Sequence, residues 1–365
     1  MATTTNQFRP DYAVPPGWIL EERLELQSIS HAEFARRCGC SPNLISEIIA
    51  GKASIEPETA LQFEKVLGMD ASIWRSIEED YQIHRAGESE AADAAGSTAW
   101  LRTFPIQELV KRGIIRQPES NADSLSKLLS FFHVSSVKEW QLKYDLVNVA
   151  YRHSLSFKSN KAALTTWLRF GELNADDQEC ADYSKTGFKQ ALSEIRGLTC
   201  APIKEALSQS QKLCNQSGVA LALVKPLPKT AISGATWWLT PRKAVIQLSA
   251  RHKSDDHLWF SFFHEAAHIH LHSKKGIFVD FVDEVNGGKT DIEAEANDWA
   301  ANALIPRSVW ERFVKSSPHG KSTVLNFSRK QGIAPGIVVG MLQHGGYLPW
   351  THLNSLKVRY RWQDD

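Results

Sequence analysis

The chain has 365 residues, 42 Lys plus Arg against 41 Asp plus Glu for a net charge of +1, and 42% hydrophobic residues, enough length and apolar content for two or three domains with their own cores. No apolar run reaches membrane-span length, no leader opens the chain, and there is no internal repeat or glycine-rich phosphate loop. The five cysteines are odd in number and lack paired zinc-ligand spacing, so they read as reduced and mostly structural, which points to the cytoplasm.

Residues 1–85 read as the first domain. Turn signals divide its apolar periodicity into five helices, at 17–26, 31–38, 41–50, 57–67 and 71–85. Ser30 caps the second, Ser41 with Pro42 starts the third, and Gly39 and Gly51 end the second and third. Ala35, Gly39 and the apolar pairs 44–45 and 48–49 let two helices cross tightly. The run from Phe34 to Gly51 resembles a helix-turn-helix of the phage-repressor (XRE) class. Pro16-Gly17, Gly51-Lys52, Thr59-Ala60-Leu61 and the stretch from Trp74 to Tyr81 are similar to antitoxins of the HigA type. His31 departs from the pattern, which usually carries Gln there.

That resemblance implies operator DNA as a partner. The third helix would read bases with Pro42, Asn43, Ser46 and Glu47 on its exposed side, while Arg36, Arg37 and Lys52 would hold phosphates. A homodimer is expected. Charge argues the other way: residues 1–85 hold 8 Lys plus Arg against 13 Asp plus Glu, a net of −5. A docking or dimerisation module is therefore the alternative.

Residues 86–97 are small and polar, and are placed as a linker, with the end of a helix as the other reading. Residues 98–214 read as a helical middle region with repeated apolar spacing in 125–134 and 162–170, a spacer that orients head and tail. Its Trp140 and Tyr144 read as core.

Residues 215–365 form the last domain. Short apolar runs at 219–224 and 244–248, broken by Pro226, Pro228, Gly234 and Pro241, suit a small mixed sheet. Residues 232–239 are either a rim that receives a substrate strand or an ordinary core strand. Ser254-Asp255-Asp256 then supplies N-cap candidates for a helix that buries Leu258, Trp259, Phe262 and Phe263 on one side.

The same helix carries His264-Glu265-Ala266-Ala267-His268. Residues four apart share a helical face, so both imidazoles can meet one zinc ion, and Glu265 can reach a water as general base. A third protein ligand must come from elsewhere. Residues 291–304 read as a second helix with acids in its first turn and a stop at Pro306. Glu293, Asn297, Ala300, Ala301 and Leu304 share a face there, whereas Glu295 points elsewhere. Glu293 is taken as the third ligand; the alternative is that both acids only complement the helix dipole. Asn297 is placed to hydrogen-bond a ligand. His272 is a rival ligand, an oxyanion donor or a histidine outside the metal, and His270 has no role.

His264-Glu265-x-x-His268 followed by Glu293-x-Glu295-Ala-Asn297 and Leu304-Ile305-Pro306 resembles the ImmA/IrrE family of zinc metallopeptidases, with Trp299 where that family more often has Phe. The resemblance implies a minimal zincin-like fold holding Zn2+ on His264, His268 and Glu293, with Glu265 catalytic. The expected fold class is mostly α with a small α+β C-terminal domain: a five-helix helix-turn-helix head, a helical middle region and the zincin-like tail. The function expected is a DNA-binding transcriptional regulator with a zinc-dependent endopeptidase that cleaves a repressor or other partner protein. The alternative is a HigA-like antitoxin or repressor that binds operator DNA and a toxin, its zinc site structural or inactive. The end of the chain, 357–362, either touches nucleic acid through cation and stacking contacts or forms an alternating edge strand or solvated end.

Overall fold

Prolines and serines set the starts of the first helices. The computed structural model describes residues 13–150, 161–228, 230–272, 277–281, 291–316 and 319–362. They divide into two units, 1–99 with 119–125 and 100–118 with 126–365. The first unit contains α1 (Pro16–Leu26), α2 (His31–Cys38), α3 (Pro42–Ile49), α4 (Pro57–Leu67) and α5 (Ala71–Gly96). Pro16, Pro42 and Pro57 occupy first turns, where a missing N–H costs no helical bond. The Ser30 and Ser41 hydroxyls accept from the Glu33 and Leu44 amides at 3.3 and 3.1 Å.

Leu20, Phe34, Ala35, Ile45, Ile48, Phe63 and Trp74 are buried together as the core of this unit. A Cβ on Gly17 would run into the backbone of Ile48 and Ile49, so glycine is what allows α1 to lie against α3. Buried Glu78 accepts the Ile55 N–H at 3.0 Å and Arg75 donates to the Ile55 carbonyl at 2.8 Å, which fixes the entry to α4. Residues 86–96, expected as a linker, continue α5 instead. Five alanines and two glutamates there are good helix formers, and Gly87 costs only about 1 kcal/mol against them.

After α5 come α6 (Thr98–Leu101), α7 (Ile106–Lys111), α8 (Asn121–Phe132), α9 (Val137–Ala150), α10 (Lys161–Asp176), α11 (Lys185–Leu198) and α12 (Ile203–Gln216). Trp140 and Tyr144 are buried in an aromatic cluster, with ring centroids 5.3 Å from Phe104 to Trp140 and 5.6 Å from Phe132 to Tyr144.

The sheet comprises β1 (Val219–Leu223), β2 (Ile232–Thr240), β3 (Lys243–Leu248) and β4 (Phe278–Phe281), in the order β1-β3-β2-β4. Only the β1–β3 pairing is parallel. The remaining elements are α13 (Asp255–Leu271), α14 (Asp291–Leu304), α15 (Arg307–Lys315), α16 (Lys321–Gln331), α17 (Pro335–His344) and a 3-10 turn at Asn354–Leu356.

Alternation along β3 sorts the two faces of the sheet. Ile246 and Leu248 join Trp259, Phe262 and Phe263 of α13 in one core. Gln247 points the other way, and its amide donates to the Trp167 carbonyl of α10 at 2.7 Å. Trp167 in turn donates to the Val224 carbonyl at 3.0 Å. Phe188, Ile195 and Cys214 of α11 and α12 are buried in the same core as β1 and α13. The boundary expected at 214/215 therefore does not separate packed bodies: α10 to α12 cover a sheet that would otherwise expose its apolar faces to water.

Two further expectations change. Residues 232–236 are not a free rim, because β4 pairs with them, Gly234 opposite Asp280 and Thr236 opposite Phe278. The end of the chain is neither a free solvated end nor a full edge strand: Val358, Arg359 and Arg361 are exposed, but Arg359 makes a single antiparallel bridge with Ser254. The Asp255 amide donates to the Val358 carbonyl at 3.0 Å, and the Tyr360 amide donates to the Lys253 carbonyl at 3.1 Å, strapping the tail across the start of α13.

Candidate functional site

α13 delivers His264 and His268 from successive turns, and α14 delivers Glu293. The two Nε2 atoms lie 3.1 Å apart. Glu293 Oε2 lies 3.1 Å from His264 Nε2 and 3.6 Å from His268 Nε2. Ligand atoms 2.0–2.1 Å from a tetrahedral zinc are separated by about 3.3 Å, so these three atoms have the spacing of one face of a zinc tetrahedron. Both imidazoles are buried, and Glu293 is partly exposed at the mouth.

The outer ring nitrogens orient the inner ones. Asn297 Oδ1 is 3.1 Å from His264 Nδ1 and can only accept there, so that ring carries its proton on Nδ1 and turns a bare Nε2 to the site. Behind His268, His272 Nδ1 is 2.9 Å from His268 Nδ1, and His272 Nε2 is 3.3 Å from Glu295 Oε2. A chain of donors from His268 to His272 to Glu295 satisfies every partner and leaves His268 Nε2 bare as well. α13 ends at Leu271 and His272 adopts an extended conformation, so His272 leaves the metal face and backs its neighbour. Phe278 stacks on the His268 ring at 4.4 Å.

Glu265 is fully buried, and neither carboxylate oxygen has a hydrogen-bond partner among the described residues. It lies against Gly234 of β2, where any side chain would collide with it. Burial holds its carboxyl well above the usual range, and the charges of Asp280 and Glu293 add to that. Burial likewise raises Asp280, which accepts a hydrogen bond from Ser233. Glu293 goes the other way: despite its burial, the two histidines beside it hold its carboxyl below the usual range. Two bare imidazole nitrogens facing three carboxyl groups form a pocket whose missing charge is positive, and a divalent ion fits it. Asp280, whose oxygen lies within 4.8 Å of ligand atoms of His264 and Glu265, was not among the sequence candidates. Its only signal was an acid inside the short apolar run from Phe278 to Phe281.

In the first unit, α2 and α3 meet at a three-residue turn. Arg36, Arg37, Pro42, Asn43, Ser46 and Lys52 are all exposed, and Glu47 is half-buried. Several already have partners. Glu33 binds Arg36 at 2.7 Å and Arg37 at 2.8 Å, and Asn43 donates to Glu47 at 2.9 Å. Ser46 donates to the Pro42 carbonyl at 3.0 Å.

Residues 216–324 match the model of the IrrE N-terminal-like domain, a peptidase family, and residues 20–74 match the helix-turn-helix family. An uncharacterized HTH-type transcriptional regulator, YddM of Escherichia coli (strain K12), is 31% identical over 71 residues, 20% of this chain and 76% of that protein. Virulence-associated protein I of Dichelobacter nodosus is 32% identical over 79 residues, 21% of this chain and 73% of that one. Among solved structures, an addiction module antidote protein of a HigA family from Coxiella burnetii is 28% identical, covering 24% of this chain and 95% of its own, with a TM-score of 0.21.

Proposed function

Since the chain belongs to the helix-turn-helix regulators through residues 20–74 and carries an IrrE N-terminal-like peptidase domain over residues 216–324, we propose that it is a DNA-binding regulator whose second unit is a zinc-dependent endopeptidase cleaving a repressor or other partner protein. The observation that carries the hydrolytic part is Glu265, whose two carboxyl oxygens have no hydrogen-bond partner among the described residues and lie buried beside three converging ligand atoms. Leaving such a group unsatisfied costs folding free energy, which its use in chemistry accounts for.

His264, His268 and Glu293 would hold the ion. When bound there, zinc supplies Lewis acidity toward a scissile carbonyl and lowers the pKa of water. Glu265 takes a proton from the attacking water and passes it to the leaving amine nitrogen. Asn297, His272 and Glu295 keep the two imidazoles turned inward. In the first unit, α3 enters the major groove with Pro42, Asn43, Ser46 and Glu47, while Arg36, Arg37 and Lys52 hold phosphates. The protein acts as a homodimer on two half-sites, a reading supported by exposed Trp18, Leu26 and Leu61 on this unit.

Wild-type and Glu265→Gln chains, each loaded with zinc, are compared on a quenched-fluorescence peptide library. Wild type is expected to cleave, and the variant to keep one zinc per chain while cleaving at least about a thousandfold more slowly. A zinc-loaded variant that cleaves like wild type removes the general-base role. Zinc binding by a wild-type chain that cuts nothing favours the antitoxin reading. A gel shift on DNA upstream of the chain's own reading frame, lost in Arg37→Ala with Asn43→Ala, tests the other half.

A further inference from the structure

A cavity of about 310 Å³ opens on the second unit between α13, α14 and α17. Its apolar lining comes from Phe260, Trp310, Ile337 and Met341, and Trp350 closes one side. The one buried charge in its wall, Asp256, is paired with Lys357 at 2.6 Å, so the interior carries no unmatched charge. Asp298 and His344, both exposed, stand at the rim.

One residue of the cavity wall also touches a histidine of the metal centre. Asn297 lines the cavity and at the same time holds His264 at 3.1 Å. Phe260 precedes His264 by four residues, a separation of about 6 Å along the helix axis, and Ala301 follows Asn297 by the same step. An extended peptide with its scissile carbonyl at His264 and His268 would carry a flanking side chain about that far from the reacting carbon. The volume is at the small end of ligand sites, which run from about 300 to 1,000 Å³, so it suits one side chain rather than a folded segment.

We propose that this cavity receives one large apolar or aromatic side chain of a bound peptide, next to the bond presented to the metal centre, and so selects the substrate. The proposal rests on the peptidase reading above, and its test is kept apart from turnover. The full-length, zinc-loaded Glu265→Gln chain is titrated calorimetrically with blocked alanine hexapeptides in which a single Phe, Leu, Lys or Asp is walked through the positions.

At one position Phe and Leu are expected to bind about tenfold or more tighter than Ala, with no gain for Lys or Asp. Ala301→Phe and Met341→Trp, filling the cavity from different helices, should each abolish that preference. A profile flat at every position, a preference for Lys or Asp, or a Phe preference that survives both fillings overturns the proposal. Running the same peptides over wild-type chain separates the two ideas. Discrimination without cleavage sinks the peptidase reading and leaves the pocket, whereas cleavage without discrimination does the reverse.

Discussion

Lys357 places its Nζ 2.6 Å from Asp256 Oδ2, with the two side chains only 8% and 5% exposed. A residue of the C-terminal strap thus neutralises an acid in the first turn of the helix that carries both histidines of the metal site. The Ser254 hydroxyl also donates to Asp256, at 2.6 Å. Removing one partner from a buried pair strands the other charge away from water. Lys357→Met is therefore expected to lower stability by about 3–5 kcal/mol in urea denaturation, and the double change with Asp256→Asn to recover a large part of that loss. A single-variant cost below about 1 kcal/mol would show that the pair is solvated.

Asp255, next to it, predicts an unusual pH dependence. Its own burial, reinforced by the Asp256 charge, pushes its carboxyl up to about 6. The folded chain therefore binds this proton more tightly than the unfolded chain, so the contribution of Asp255 is favourable below about pH 4 and is lost as pH rises through 6. The loss amounts to at most about 3 kcal/mol at neutrality. Asp255→Asn should be more stable than wild type at pH 7.5, the difference shrinking to nothing near pH 4. Parallel stability curves across that window would contradict the assignment.

His272 should tune the metal rather than hold it. With its imidazole deleted in His272→Ala, His268 loses the acceptor at 2.9 Å that orients its ring. Zinc affinity, measured by competition with a chromophoric chelator, is expected to fall about 10- to 100-fold with stoichiometry unchanged. Complete loss of the ion would make His272 a ligand instead, and an unchanged affinity would remove it from the site.

Glu33 restrains the proposed phosphate contacts. Hydrogen bonds from Arg36 and then Arg37 pull its carboxyl down to about 2, so it stays ionised and masks both guanidinium groups at any physiological pH. Glu33→Gln should strengthen DNA binding and steepen the dependence of log affinity on log salt by about one to two. The same slope before and after the change would mean that neither arginine reaches the backbone of the duplex.

Local chemistry was the legible part. The starts of α2 and α3 were readable from Ser30, Ser41 and Pro42 because a cap acts within one turn of its own residue. The facing of His264 toward His268, and of Glu293 toward Asn297, was readable because four residues make about one turn. Residues 86–96 were misread because small polar residues suit a linker and a helix end alike, and only the continuation of α5 distinguishes them. β4 and Asp280 escaped because a four-residue strand carries almost no periodicity of its own and exists through its pairing with β2.

What the amino-acid order made readable unaided was the five helices of the first unit, the histidine pair with its intervening carboxylate, and the acid one helix later, since each depends on spacings within a single element. What it left open depended on distant segments meeting: Lys357 reaching back to Asp256, β4 covering the strand expected to be a rim, α10 to α12 joining the sheet, and Asn297 standing between the metal centre and an apolar cavity. Such meetings are decided by burial of apolar area summed over the whole unit. That sum has no period along the chain, so no window of sequence displays it.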